Sequence, residues 1–317
     1  MQIINANNID VLKTGCVATV GFFDGVHIGH RHLINQLKNI ATDQNLLSLV
    51  ITFAVHPRKV LQEDFQPELL TTFNEKINQL ESTGVDACIV LDFNTTISEL
   101  SAYEFIDQIL KKRYNVRTLL VGHDHRFGKN RVEGFSQYKQ YGEKLKMKVI
   151  EGVQFSTKEF QFISSSVIRK ALHDGYIDKA NYLLSYNYNI EGSVVNGFKM
   201  GRKLGFPTAN ILVNDSYKLI PMLGVYAVFI VYNNSVMSGM MNIGIRPTIE
   251  NGDKLSIEVH IFNFEGDIYN ENLTIQFVKM IRQEQKFNSL DELILQLHKD
   301  KIQAQIFLEG TKKIRTL

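Results

Sequence analysis

The chain has 317 residues, 44% hydrophobic and 21% charged, with a net charge of +2; this is a globular composition with room for two domains of ordinary size. So small a net charge does not indicate a broad polyanion-binding face, though local basic clusters could hold a nucleotide, and no apolar run approaches the roughly 20 residues needed to span a bilayer. Met1 to Thr14 lack the basic start and apolar core of a signal peptide, so a cytoplasmic location is expected, with no nucleic-acid or membrane partner. Cys16 and Cys88 lie beside apolar strand-like runs and read as buried free thiols.

In chain order, Val17–Phe23, Leu46–Phe53, Ala87–Phe93, Thr118–Gly122 and Lys148–Val153 are nearly continuous apolar runs, the pattern of strands covered on both faces. Between the first two, Leu33, Ile34, Leu37, Ile40 and Ala41 recur at helical spacing, and Tyr103, Phe105, Ile106, Ile109 and Leu110 repeat the pattern over Ser101–Tyr114. Strands alternating with helices predict an α/β, doubly wound parallel sheet with ligands beyond the carboxyl ends of its strands. After Ser185 the texture changes to short β-rich runs broken by Gly, Asn and Pro: Val194–Val195, Gly224–Tyr232, Ser238–Ile243, Leu255–Phe262 and Leu273–Met280. These predict a small antiparallel β-barrel, closed by a helix from about Ser289 to Leu308. The expected domains are therefore 1–185 and 186–317.

Gly21-Phe22-Phe23-Asp24-Gly25-Val26-His27-Ile28-Gly29-His30 follows a strand and opens a helix. There, backbone N–H groups and the helix dipole attract phosphate. Gly29 permits close approach. His27 and His30 can donate to phosphate oxygens and stabilise charge on a leaving pyrophosphate. Downstream, Ile163-Ser164-Ser165-Ser166-Val167-Ile168-Arg169 sets hydroxyls and a guanidinium at a helix start, which suits a polyphosphate and equally suits a plain N-cap.

His-Ile-Gly-His is the signature shared by nucleotidylyltransferases and class I aminoacyl-tRNA synthetases; the lysine-rich loop of the synthetases is absent from this sequence. The Ile163–Arg169 segment resembles the I-S-S-T-x-I-R segment of bacterial FAD synthetases. Thr52-Phe53-Ala54-Val55-His56-Pro57 resembles that family's T-F-x-P-H-P. Val121 to Arg131 resembles its V-G-x-D-F-R-F-G-x-x-R. The resemblance implies ATP binding by Gly21, Phe23, Asp24, Gly29, Asp124, Ser165 and Ser166. It implies catalytic roles for His27, His30 and Arg169, and flavin binding by His56, Pro57 and Phe127. Ala54-Val55, His125, Val167 and Tyr186-Asn187 depart from the family pattern.

Gly192 to Asn210 resembles the riboflavin-kinase pattern G-x-V-x-x-G-x-x-x-G-R-x-L-G-F-P-T-A-N over its whole length. Thr208 and Asn210, two apart in a strand, present oxygens on one face, which suits Mg2+ arriving with ATP. The resemblance implies nucleotide binding by Gly201, Lys203, Gly205, Pro207, Thr208 and Asn210, with the last two as metal ligands. Glu258 is a lone carboxylate in an alternating apolar strand, a pattern usual for a solvent-facing residue; the resemblance makes it the catalytic base. Arg282 and Glu284, in a segment like the family's I-R-x-E-x-K-F, are implied at the flavin. As a whole the chain resembles bifunctional bacterial riboflavin kinase/FAD synthetases, which use ATP, riboflavin and FMN and release FAD. A riboflavin kinase with a degenerate, nucleotide- or flavin-sensing first domain is the alternative.

Overall fold

The computed structural model describes residues 1–4, 12–62, 64–123, 125–157, 160, 162–197, 200–248 and 252–315. By contact the chain divides into two compact units, Met1–Ser165 and Ser166–Leu317.

The first unit runs β1 (Gln2–Ile4), β2 (Cys16–Val20), α1 (Ile28–Asp43), β3 (Leu47–Phe53), α2 (Pro57–Leu61), α3 (Phe73–Glu81), β4 (Ala87–Leu91), α4 (Thr95–Glu99), α5 (Ala102–Glu104), β5 (Val116–Val121), α6 (Phe135–Leu145) and β6 (Lys148–Glu151). The strands form one sheet in the order β1-β4-β3-β2-β5-β6, and every described pairing is parallel. Alternation along the strands divides the core into two layers. Ala18, Val20, Leu49, Ile51, Ile89 and Leu119 pack against Phe105, Ile106, Leu110 and Tyr138. Val17, Val50, Cys88 and Leu120 pack against Ile34 and Leu37 of α1 and Ile77 and Leu80 of α3.

The five expected strands are present and a sixth, β1, joins them beside β4. The expected strand Val17–Phe23 stops at Val20, because Phe23 turns into the left-handed region at φ 56°. The expected helix Ser101–Tyr114 starts as α5 and continues as a π-helical stretch over Phe105–Arg113, with Tyr114 N–H reaching back to the Ile109 carbonyl. Such widened turns are rare and occur often at functional sites.

The second unit opens with α7 (Ser165–His173), whose first residue is the last of the first unit, and α8 (Ile177–Leu184). It continues through β7 (Asn189–Val195), α9 (Met200–Lys203), β8 (Ala209–Leu212), β9 (Gly224–Tyr232), β10 (Ser235–Thr248), β11 (Gly252–Ile261) and β12 (Asn272–Gln283) to α10 (Leu290–Arg315). The six strands close into a barrel in the order β10-β11-β8-β7-β12-β9. All their described pairings are antiparallel. Helix α10 lays Ala304 and Leu308 on Ala227, Phe229, Met240 and Val278 of the barrel wall. The α7–α8 pair is tied to the barrel as well: Asn181 donates to the Phe277 carbonyl at 2.9 Å and accepts from Tyr188 N–H at 2.7 Å. The division by contact therefore falls before these helices, while the texture of the sequence changes after them.

Candidate active sites

In the first unit, strand order reverses between β2 and β5, and the crevice beyond their carboxyl ends is where such sheets bind ligands. The turn after β2 is forced by backbone conformation. Phe23, Gly25 and Val26 all have positive φ, of 56°, 76° and 37°. For a β-branched residue such as Val26 that is a true outlier, of a kind that clusters at ligand sites. The turn is locked from below. The buried Asp24 carboxylate accepts from Leu70 N–H at 2.9 Å and Thr71 N–H at 3.2 Å, and the Asp24 carbonyl accepts from Ser165 Oγ at 3.0 Å. Asp24 and Ser165 thus shape the cradle with the groups the sequence suggested for nucleotide contact.

His27 caps α1: its Nδ1 accepts from His30 N–H at 3.3 Å, so the neutral ring carries its proton on Nε2. The His27 and His30 rings stack with centroids 3.7 Å apart, and Phe23 lies edge-on to His30 at 5.1 Å. Gly29 leaves room for this: a Cβ there would sit 3.2 Å from the His27 ring. Burial holds the His30 imidazole well below its ordinary pKa, and His27 and His125 push the same way. His125 is held down at about 4, by burial first and then by Arg131. His30 Nδ1 and His125 Nε2 are buried with no hydrogen-bond partner among the described residues. Buried polar atoms are rarely left so, and both imidazoles are ready to meet a ligand as neutral rings.

At the end of β3, His56 caps α2 and Pro57 is its first residue. The His56 ring meets Phe22 edge-on at 4.7 Å. Phe127 stacks on Tyr138 at 4.2 Å, and Tyr138 Oη accepts from Phe127 N–H at 2.9 Å. Gly21 follows β2 directly. Asp124 lies outside the described residues. Ser166 and Arg169 lie on α7, in the second unit.

In the barrel, strand register assembles the candidate residues. Asn242 on β10, Glu258 on β11 and Asn210 on β8 are directly paired across adjacent strands, so their side chains share one face. Thr208 Oγ1 donates to Glu258 Oε2 at 3.1 Å, and Ser256 Oγ donates to Oε1 at 3.1 Å. Glu258 is half-buried rather than fully solvent-facing. The Asn210 amide packs against Gly197, where a Cβ would lie 2.0 Å away, and Gly201 packs against the Phe206 carbonyl, where a Cβ would lie 2.2 Å away. Gly205 turns the chain at φ 79°. Lys203 ends α9. The Pro207 carbonyl accepts from Nδ1–H of the buried His260 at 2.8 Å. Beside this turn an open cleft is lined by Arg202, Pro207 and Thr208 together with Phe264, Asp267 and Tyr269.

Glu284 reaches Gly244, where a Cβ would come within 2.3 Å of its carboxylate. Arg282 is engaged elsewhere than the sequence suggested: its guanidinium forks onto the buried Asp300 of α10 at 2.8–3.1 Å, and Gln296 also donates to Asp300 at 2.8 Å. Tyr138, His260 and Asp300 went unnoticed in the sequence. The one signal was His260 at alternate spacing from Glu258, on the same face of its strand.

The geometry defines a two-part nucleotide enzyme, an α/β unit of adenylyl-transfer type ahead of a phosphotransfer barrel. Residues 10–167 match the family model for FAD synthetase and residues 184–308 that for riboflavin kinase. The chain is 40% identical over 301 residues to the bifunctional riboflavin kinase/FMN adenylyltransferase of Bacillus subtilis, covering 94% of each chain. It is 37% identical to that of Haemophilus influenzae, covering 98% of this chain and 100% of the relative. A crystal structure described as a macrolide-efflux protein from Streptococcus pneumoniae is similar at a TM-score of 0.84 and 30% identity, over 95% of this chain and 97% of that one. No helix among the described residues is long and apolar enough to cross a membrane. The chain belongs to the bifunctional riboflavin kinase/FMN adenylyltransferase family.

Proposed function

We infer that the chain makes FMN and FAD: the barrel transfers the γ-phosphoryl group of ATP to riboflavin, and the α/β unit transfers the adenylyl group of ATP to FMN, releasing pyrophosphate. The observation that carries the kinase half is the Thr208–Glu258 hydrogen bond in register with Asn210. It puts a carboxylate beside the hydroxyl and amide oxygens suited to a phosphate-bound metal. Glu258 takes the proton of the ribityl hydroxyl as that oxygen attacks phosphorus. Gly201, Lys203, Gly205 and Pro207 shape the loop over the phosphates, and the cleft beside Thr208 receives the nucleotide. The donors at Thr208 and Asn210 are oxygens and fit a hard cation. Mg2+ bound to ATP would neutralise charge on the transferring group. Glu284 faces the flavin. Arg282 serves it indirectly, by fixing the end of β12 through Asp300.

In the α/β unit His27 and His30 act as neutral N–H donors to the charge that builds as the FMN phosphate displaces pyrophosphate at the α-phosphorus. The turn residues Gly21, Phe23, Asp24 and Gly29 give backbone N–H groups and shape. Ser165 holds the turn, Ser166 and Arg169 bind phosphate, and Asp124 binds the nucleotide. His56, Pro57 and Phe127 bind the flavin. The functional division is 1–185 and 186–317, with α7 serving the first activity. A sensing-only first domain is disfavoured, because the FAD synthetase match runs through it and both histidines of the signature are in place. The buried free thiols of Cys16 and Cys88, pushed up to about 12 by burial, favour a cytoplasmic enzyme.

Incubation with riboflavin and Mg-ATP, followed by chromatography, tests this reading. FMN should appear first and FAD after it. Unchanged riboflavin would defeat the kinase assignment, and failure to convert supplied FMN would defeat the adenylyl-transfer assignment.

A further inference from the structure

Lys76 is a lysine inside the protein, only 2% exposed. It lies in the first turn of α3, whose start is fixed by a capping box between Thr72 and Glu75. The same stretch, through Leu70 and Thr71, holds the Asp24 carboxylate. The side chain runs under the carboxyl edge of the sheet. Its ammonium donates to the carbonyl of Phe53, the last residue of β3, at 2.6 Å. It also lies 4.0 Å from the centroid of the Phe22 ring, just beyond β2. That ring meets His56 edge-on, and the Phe22 carbonyl accepts from Thr52 Oγ1 at 3.1 Å. One ammonium therefore touches both segments that flank the proposed phosphate cradle.

This is an expensive arrangement for a lysine. Among the described residues the ammonium has one hydrogen-bond acceptor and two aromatic neighbours, Phe22 and Phe73. Burial pulls its pKa down to about 8, against the opposing pull of Asp24 and then Cys88. Removing the ammonium alone would leave the buried Asp24 carboxylate without this nearby cation and the Phe53 carbonyl without its donor. A buried charge that bridges two turns at the ligand edge of a sheet is the kind of perturbed group that clusters at functional sites.

We propose that Lys76 is a positioning residue for adenylyl transfer, its buried charge holding the Phe22 turn and the Phe53–Pro57 segment in the arrangement the reacting phosphates require. The proposal rests on adenylyl transfer by the first unit, and conversion of FMN to FAD by the wild type checks that premise separately.

The test uses the full chain with Lys76→Met and Lys76→Gln; glutamine can still donate to the Phe53 carbonyl but carries no charge. Both should lower adenylyl transfer by at least about 10-fold, as a misplaced reacting group does, with the loss in kcat rather than in KM for FMN. Riboflavin phosphorylation by the same preparations should stay within about twofold, since the candidate kinase residues lie in the other unit and Lys76 and Glu258 bond to different partners. The thermal midpoint should fall in Lys76→Met and fall less in Lys76→Gln, which keeps a donor to the Phe53 carbonyl, so rates are compared well below both midpoints. Adenylyl transfer near the wild-type rate in either folded variant would overturn the proposal. So would a loss confined to KM for FMN with kcat unchanged, because Lys76 would then act on binding alone.

Discussion

At the carboxyl edge of the parallel sheet the central candidate residues sit on turns, whereas in the barrel Asn210 and Glu258 sit on strands in register. The turn after β2 is held by left-handed Phe23 and Val26, by a buried Asp24 and by an internal lysine. Each of these would cost stability in isolation. The barrel instead gets the alignment of Asn242, Glu258 and Asn210 from ladder pairing that also builds the fold. The first site should therefore tolerate disturbance badly, since removing Asp24 or Lys76 strands buried partners as well as loosening the turn. In the second, function can be removed without touching stability much.

The largest expected effects break the comparison into two activities. Asn210→Ala should lower riboflavin phosphorylation by about 1,000-fold, the scale of several kcal/mol of charge stabilisation at a phosphoryl oxygen, while supplied FMN is still converted to FAD. Glu258→Gln should lower the same step by about 100-fold or more, the scale of general-base catalysis, with riboflavin affinity little changed in a binding titration. Loss of adenylyl transfer in either folded variant would contradict separate sites.

His30→Ala should lower adenylyl transfer by about 100-fold and leave the kinase intact, since it removes one donor aimed at developing charge. Steady-state rates of both steps on one preparation decide this. A smaller, structural effect sharpens the comparison from the barrel side. Asp300→Ala leaves the Arg282 guanidinium, 18% exposed, without its carboxylate. It should destabilise the second unit by about 3 kcal/mol, as breaking a largely buried pair does, read as an earlier midpoint in denaturant.

The strands β2 to β6 were legible because residues covered on both faces must be apolar throughout. β1 was not, because three residues at the chain start gain their meaning only by pairing with β4. The helix over Ser101–Tyr114 was legible, but Phe105, Ile106, Ile109 and Leu110 fit a 3.6-residue period and conceal the widened π turns. β10 extends over Ser235–Thr248, beyond the expected Ser238–Ile243, because Gly244 and Pro247 read as strand-ending letters just past Ile243. At the sites, the His27/His30 pair and the Thr208, Asn210 and Glu258 set were legible from local spacing and family pattern. Lys76, His260 and Asp300 were not. Each is a polar group whose burial depends on a partner far along the chain, and a polar letter in an amphipathic stretch reads as surface.

The last expected effect is graded with pH. Burial is the leading cause of the lowered pKa values at His30 and His125 in the first unit and His260 in the second. In the unfolded chain each imidazole titrates near its ordinary value of about 6.5. A group whose folded pKa lies below its unfolded one binds more protons when unfolded. Its contribution to stability is therefore complete above about pH 6.5 and is lost as the pH falls toward the folded value. The limiting slope is about 1.4 kcal/mol per pH unit for each such imidazole, less for rings that keep some contact with water. Both units should lose stability between pH 6.5 and 4, and the first should lose it more steeply, with two such imidazoles to the barrel's one. Thermal unfolding across that range, with each activity assayed after partial heating, reports which unit fails first. His125→Phe removes one titrating ring while keeping an aromatic of similar size, so it should flatten the slope of the first unit and leave that of the second unchanged. An unchanged slope would mean that His125 is solvated enough to titrate alike in both states.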